Sequence, residues 1–278
     1  MVRFVTLAYG NAPGVYRQSV MLLLSLVAHA PEPYELVVAT DRPECYVWFG
    51  TRIEIEYVDG AVLDGWRGPT PFSMRQKLAC IRAVWPERGA VVFLDADVIA
   101  RDSLAGFADR LAAGELFMHT HEYDLAASRR AGNRRLWASL RGRTFGAWEI
   151  KGTDGMWNSG VLGARAEERP LFDQALQLYD AMGADGIRHF ATEQLVEGVV
   201  LGRTGRLRPA AEWFTHYWGN RQGYDAEIAR RLADAFLEGL TVKEAAERFR
   251  QTPITLPAEV RSTRSEKLRR WISVNVKG

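Results

Sequence analysis

Cysteine is scarce in this 278-residue chain, with Cys45 and Cys80 the only two. They have neither zinc-ligand spacing nor the density of a disulfide-stapled scaffold, and they suit a reducing compartment. An excess of either charge is also missing: 36 basic residues face 34 acidic ones, for a formal net charge of +2. That balance removes the global argument for a nucleic-acid partner and leaves only local clusters to consider. There is no internal repeat, no low-complexity tract and no apolar run of the ~20 residues that a membrane span needs. The run Val20 to Ala28 (VMLLLSLVA) follows Arg17 and precedes Ala28-His29-Ala30, an arrangement that mimics a signal-peptide cleavage site. The strand-like VRFVTLAY from Val2 to Tyr9 and the turn Gly10 to Gly14 precede it, so a buried helix is the expectation.

What the chain does have is enough apolar residues, 47% against 25% charged, to bury a substantial core. Strand and helix signals alternate over the first hundred residues, the pattern of a mostly parallel sheet covered by helices. Strands are predicted at Val2 to Tyr9, Glu35 to Thr40, Ile53 to Val58 and Ala90 to Asp95. The last is apolar on both faces, as a central strand should be. Helices are predicted at Val15 to Ala28 and at Phe72 to Trp85, the second stopping before Pro86. Further on come a strand at Glu115 to His119, an arginine-rich helical stretch, and a short strand at Gly160 to Ala164. Helices return at Leu171 to Met182 and Thr192 to Leu201. From Tyr224 onward the signal is helical and charged, with Thr241 and Glu244 forming a capping box. The boundary is placed at residue 222, between an α/β body (1–222) and a helical extension (223–278).

The feature richest in chemistry is VVFLDADV, Val91 to Val98. Side chains two apart on a strand point the same way, so Asp95 and Asp97 present two carboxylates on one side as the strand ends. Open α/β sheets bind ligands at the carboxyl ends of their strands, near the point where strand order reverses. Two hard oxygen ligands there suit Mg²⁺ or Mn²⁺ bridged to a diphosphate, whose departure needs its growing charge neutralised. Close like charges also raise each other's pKa. Replacing Asp97 is therefore expected to leave the metal-free fold as stable as before, or slightly more so.

Together with three downstream segments, the Asp-x-Asp strand resembles the GT-A-fold glycosyltransferases, most closely the retaining family 8 type related to glycogenin and bacterial lipopolysaccharide galactosyltransferases. Met156-Trp157-Asn158-Ser159-Gly160-Val161-Leu162 is similar to that family's Asn-Ser/Ala-Gly-Val segment, Thr192-Glu193-Gln194 to its Asp-Gln pair, and His216-Tyr217-Trp218-Gly219 to its His-x-x-Gly motif. The resemblance covers roughly residues 2 to 222 and departs from the pattern twice. Glu193 replaces the usual Asp, and the lysine expected after the histidine motif is absent, with Arg221 nearby. It implies an α/β fold of GT-A type: a mixed sheet with flanking helices.

By the same resemblance His216 is the third ligand of a metal held by Asp95 and Asp97, and imidazole suits Mn²⁺ better than Mg²⁺. Asn158 and Gln194 would face the donor sugar, with Gln194 or Glu193 stabilising the oxocarbenium-like transition state. Ala8, Tyr9 and Asn11 would contact the nucleoside, with Asp41 a weaker candidate. Asp95, Lys77 and Arg221 would contact the donor diphosphate, and Arg75 lies on the same helix as Lys77. The implied reaction moves a hexosyl group from a nucleoside-diphosphate sugar, UDP-linked, to an acceptor hydroxyl on a glycan, lipid-linked or small-molecule acceptor, with anomeric retention.

Two rival readings stand beside it. A haloacid-dehalogenase-like phosphatase would use Asp95 as nucleophile, but its motif belongs on a first strand and its later Gly-Asp-x-x-x-Asp motif is missing here. The segment Gly239 to Arg250 resembles the first helix of a DNA-binding helix-turn-helix, yet Thr252 to Pro257 holds two prolines where the recognition helix should follow. Two basic stretches remain. Six arginines and no acid lie between Ser128 and Thr144, a stretch expected beside the acceptor site. Pro257 to Gly278 is basic and amphipathic, and would give a cytoplasmic protein a peripheral contact with the inner face of the membrane.

Overall fold

The computed structural model describes residues 1–69 and 73–257. The first part follows the expected alternation: β1 (Val2–Ala8), α1 (Pro13–His29), β2 (Tyr34–Thr40), a kinked 3₁₀ segment Pro43–Arg52, β3 (Glu54–Tyr57), α2 (Gly60–Arg67), α3 (Arg75–Ala83) and β4 (Ala90–Leu94). Next come β5 (Val98–Ala100), α4 (Ala105–Ala112), β6 (Leu116–Asp124), α5 (Ala131–Leu140) and a small ribbon, β7 (Thr144–Phe145) with β8 (Trp148–Glu149). The remainder is β9 (Gly155–Arg165), α6 (Arg169–Ala184), α7 (Thr192–Gly202), β10 (Leu207–Pro209), β11 (Phe214–His216), α8 (Arg221–Leu237) and α9 (Val242–Gln251).

Seven strands form one mixed sheet in the order β10-β6-β9-β4-β1-β2-β3. β1 pairs in parallel with both β2 and β4, while β9 runs antiparallel to both β4 and β6. Helices flank both faces, so the architecture is α/β and consistent with a Rossmann-like fold. Strand order reverses between β1 and β4, which puts a crevice at their carboxyl ends. Extending the pairing of Val5 with Phe93 by three residues brings Ala8 level with Ala96 at that edge.

The apolar residues sort onto the two faces. α1, α4, α8 and α9 cover one, with Leu22, Leu24, Phe107, Ile228 and Phe249 in a single layer. α3, α5, α6 and α7 cover the other, with Leu78, Leu136, Phe172 and Val199. The run Val20 to Ala28 lies within α1, which begins on Pro13, where a proline's missing N–H goes unnoticed. Because α8 and α9 lie across its outer side, α1 is buried almost all round, which is why its sequence lacks a polar face. α9 starts on the predicted capping box, with the Thr241 side chain on the Glu244 N–H and the Glu244 side chain on the Thr241 N–H.

Three expectations are corrected. β4 stops at Leu94, and Asp95 to Val98 form a turn closed by Val98 N–H on Asp95 O at 3.1 Å. The strand expected at Gly160 to Ala164 begins five residues earlier and carries Met156 to Ser159 within it. The helix expected at Phe72 to Trp85 starts at Arg75; Phe72 lies outside the described residues, as does the basic stretch from residue 258 onward. No helix among the described residues is long and apolar enough to cross a membrane.

Candidate metal centre

The turn after β4 aims two carboxylates at one histidine. Asp95 prolongs the β4–β9 ladder by donating its N–H to Gly160 O at 3.0 Å, and the Asp97 backbone carbonyl accepts the Tyr217 N–H at 3.1 Å. β5 and β11 pair antiparallel and place His216 opposite Val98, the residue after Asp97. His216 Nε2 lies 3.2 Å from Asp97 Oδ1 and 3.9 Å from Asp95 Oδ2. One ligand atom from each of the three residues falls within 4.8 Å of the others. The Asp95 side chain is 28% exposed against 6% for Asp97 and 8% for His216, so the centre opens on the Asp95 side.

The hydrogen bonds behind His216 decide what its ring offers. Asn158 Oδ1 accepts the Gly160 N–H at 3.1 Å and lies 2.8 Å from His216 Nδ1. An oxygen has no proton to give, so Nδ1 carries it, and the neutral ring then presents a lone pair at Nε2. The Nε2 lone pair and the two carboxylate oxygens make an electron-rich cluster of the kind that suits a divalent cation. Two ligands on one cation with bonds of ~2.1 Å lie roughly 3.0 to 4.2 Å apart, which accommodates both the 3.2 and the 3.9 Å separations. Asp95, Asp97 and His216 therefore fit a metal ion.

Gly160 is part of the same construction. A Cβ there would come within 2.3 Å of His216 Nδ1, so the ring can occupy this position only over a glycine. His119 packs edge-on below it, ring centroids 5.5 Å apart. Burial above all, with the neighbouring His216 adding to it, lowers the His119 pKa to about 4, so it stays neutral.

Neither carboxylate faces the other without compensation. Lys77 reaches Asp95 Oδ1 and Glu193 Oε1, each at 3.0 Å, and donates to Ser159 O at 2.9 Å. Ser159 Oγ in turn bonds Glu193 Oε2 at 3.0 Å. Burial works against the Lys77 charge, but Asp95, Glu193 and Glu197 outweigh it and hold its pKa up. Burial likewise opposes the Asp97 charge, yet His216 and the Arg221 guanidinium hold it below the usual carboxylate range. These contacts run against the expectation that losing Asp97 would relieve repulsion, because the loss would take an anionic neighbour from buried His216 and from Arg221.

The other predicted residues divide. Lys77 is a buried hub, and Glu193 is committed to Lys77 and Ser159. Gln194, half-buried at the start of α7, has only a 3.3 Å bond to Glu122. Asn158 is occupied in orienting His216. Ala8 is buried where β1 ends, Tyr9 donates to Gln76 Oε1 at 2.5 Å, and exposed Asn11 accepts from Arg42 at 3.3 Å. Asp41 accepts the Gly10 N–H at 3.0 Å and sits 2.6 Å from the Tyr16 hydroxyl, so it shapes the loop after β1. Arg75 turns away from the centre, bound to Asp180 and to Trp66 O.

Ser159, Glu197 and the steric role of Gly160 escaped the sequence reading. For Glu197 a signal existed: an acid inside the apolar helix LVEGVVL, four residues after Glu193. Its carboxyl is fully buried, and burial followed by the Glu193 charge pushes its pKa well above the usual range.

No protein-family model matches the chain, and no curated protein matches it.

Proposed function

We propose that the chain is a metal-dependent glycosyltransferase that moves a hexosyl group from a nucleoside-diphosphate sugar, UDP-linked, to an acceptor hydroxyl with retention of configuration. The observation that carries the reading is the convergence of Asp95, Asp97 and His216 at the carboxyl ends of β1 and β4. The mixed sheet with antiparallel β9 and the segments shared with GT-A family 8 enzymes support it. Asp95, Asp97 and His216 would hold Mn²⁺, which when bound neutralises charge on the departing diphosphate.

The chain's own residues supply the rest. The loop Tyr9 to Asn11, fixed by Asp41 and opened by Gly10 at φ 96°, offers backbone groups to a nucleoside. Arg221, exposed at the first turn of α8, can turn its planar fork toward a diphosphate. Gln194 is the side chain with least commitment beside the centre, and in this reading it faces the reacting carbon. Glu193 holds Lys77 against Asp95 and acts as a positioning residue. A thermal-shift screen of nucleotides with and without Mn²⁺ tests the assignment. Stabilisation by UDP only in the presence of metal is expected, and equal stabilisation without metal would refute it.

A further inference from the structure

Arg129, Arg130, Arg134, Arg135 and Arg141 are exposed, and among the described residues none has an ion-pair partner. Some arginines elsewhere on the surface are matched, such as Arg230 with Glu227 and Arg248 with Glu238, but no acid lies within the stretch from Ser128 to Thr144 to do the same. The helix within this set also has cations at its positive end, while Arg141 caps the other. α5 has Arg130 as its N-cap residue, Arg134 close behind, no acid in its first turn and no base in its last. Cations at the positive end of a helix, four residues apart, repel both the dipole and each other. Leu136 and Leu140 anchor the inner side of α5 in the core. Arg130, Arg134 and Arg141 share an outward stripe, being spaced by four and seven residues.

This stripe lies on a defined side of the metal centre. β1, with its nucleoside loop, flanks β4 on one side, and β9 with β6 flanks it on the other. β6 and β9 overrun β4 at this edge, pairing Asp124 with Gly155, and the chain passes from Asp124 directly into the arginine stretch. Lys77 joins Asp95 to Glu193, the next residue Gln194 bonds Glu122, and Tyr123 follows Glu122 on β6. Arg130 comes six residues after Asp124, where β6 ends, and the turn between them is tied by Ala127 N–H on Asp124 O at 2.9 Å and by Asn133 on Ser128 Oγ at 2.8 Å.

Resting on the glycosyltransferase reading, we propose that the acceptor is an anionic sugar whose phosphate or carboxylate groups are held by Arg130 and Arg134, flanked by Arg129 and Arg141, on the β6–β9 side of the metal centre. A guanidinium fork matches either anion through paired charge-assisted hydrogen bonds. The patch is one short stripe bounded by exposed Glu122 and Asp124, which suits a compact anion and opposes a long polyphosphate strand.

The test titrates the whole protein with glucose 6-phosphate, trigalacturonate and neutral maltotriose, and compares the parent with R130Q/R134Q. Glucose 6-phosphate or trigalacturonate should bind at least about tenfold more tightly than maltotriose, and which of the two wins separates phosphate from carboxylate. The double variant should lose about tenfold of that affinity and keep UDP binding with Mn²⁺. Equal binding of neutral and anionic sugars, undiminished affinity in the variant, or a single-stranded RNA that outcompetes every sugar would each overturn the proposal. If anionic sugars bind through Arg130 and Arg134 while UDP does not bind with metal, the donor reading fails and the arginine site stands.

Discussion

Arg221, the first residue of α8, donates to Asp97 Oδ2, so the protein sets its own cation against a carboxylate proposed to hold a metal. A cation held by Asp97 Oδ1 would draw charge from the carboxylate and weaken the Arg221 contact at Oδ2, leaving the guanidinium freer to turn. Arg221→Ala should therefore bind Mn²⁺ alone a few-fold more tightly than the parent. It should bind UDP in the presence of Mn²⁺ more weakly, because a diphosphate ligand is lost. Spin-resonance titration of free Mn²⁺ and calorimetry of UDP read the two effects separately. Changes of the same sign would mean that Arg221 does not alternate between the two anions.

The His216 ring passes over a glycine because nothing larger fits. Gly160→Ala places a methyl against Nδ1 and breaks the contact with Asn158, so Mn²⁺ affinity should fall about tenfold or more. Overpacking should also cost about 1–3 kcal/mol of stability in denaturant unfolding. Asn158→Ala should lower metal affinity without the overpacking, since it removes the group that fixes the ring. If both variants bind Mn²⁺ like the parent, His216 is not a ligand.

Glu197 gives a pH signature. Its pKa in the folded state lies above the ordinary 4.5, so the folded chain holds a proton that the unfolded chain releases. The sign follows: its contribution to stability is fully present below 4.5 and is lost as pH rises toward the folded-state pKa. Glu197→Gln should remove that loss, making the variant more stable relative to the parent at pH 8 than at pH 5. Parallel stability curves for the two proteins would show that Glu197 is ionised in the fold.

Periodicity and β-branched content located β1, β2, β4, α1, α6 and α7 in the sequence, since each buries a face long enough to leave a pattern. Of the candidate metal residues, Asp95 and Asp97 were legible from the apolar strand that runs into them, and His216 only through motif resemblance. His216 reaches Asp97 because three-residue β5 and β11 pair, and strands that short leave no periodic trace. The Asp95–Asp97 turn was misread as strand because Asp in a turn and Asp at a strand end look alike one residue apart. The buried, carboxylate-bound setting of Lys77 left no trace in the sequence because its partners, Asp95 after β4 and Glu193 in α7, are remote from it in the chain. α8 and α9 were read as an extension since their charged outer faces dominate the composition, although Tyr224, Ile228 and Phe249 share a core layer with α1.

The most direct test of the metal centre compares the parent with Asp97→Asn, which keeps the shape and an acceptor for His216 but removes the charge, with circular dichroism confirming the fold. The metal-free variant should be no more stable than the parent, because Arg221 and His216 lose an anionic partner. With Mn²⁺ and UDP at a hundredfold excess over Kd, the parent should gain ~2.7 kcal/mol of stability and the variant should gain almost none. If Asp97→Asn gains as much from Mn²⁺ and UDP as the parent does, Asp97 holds no metal and the proposed centre is wrong.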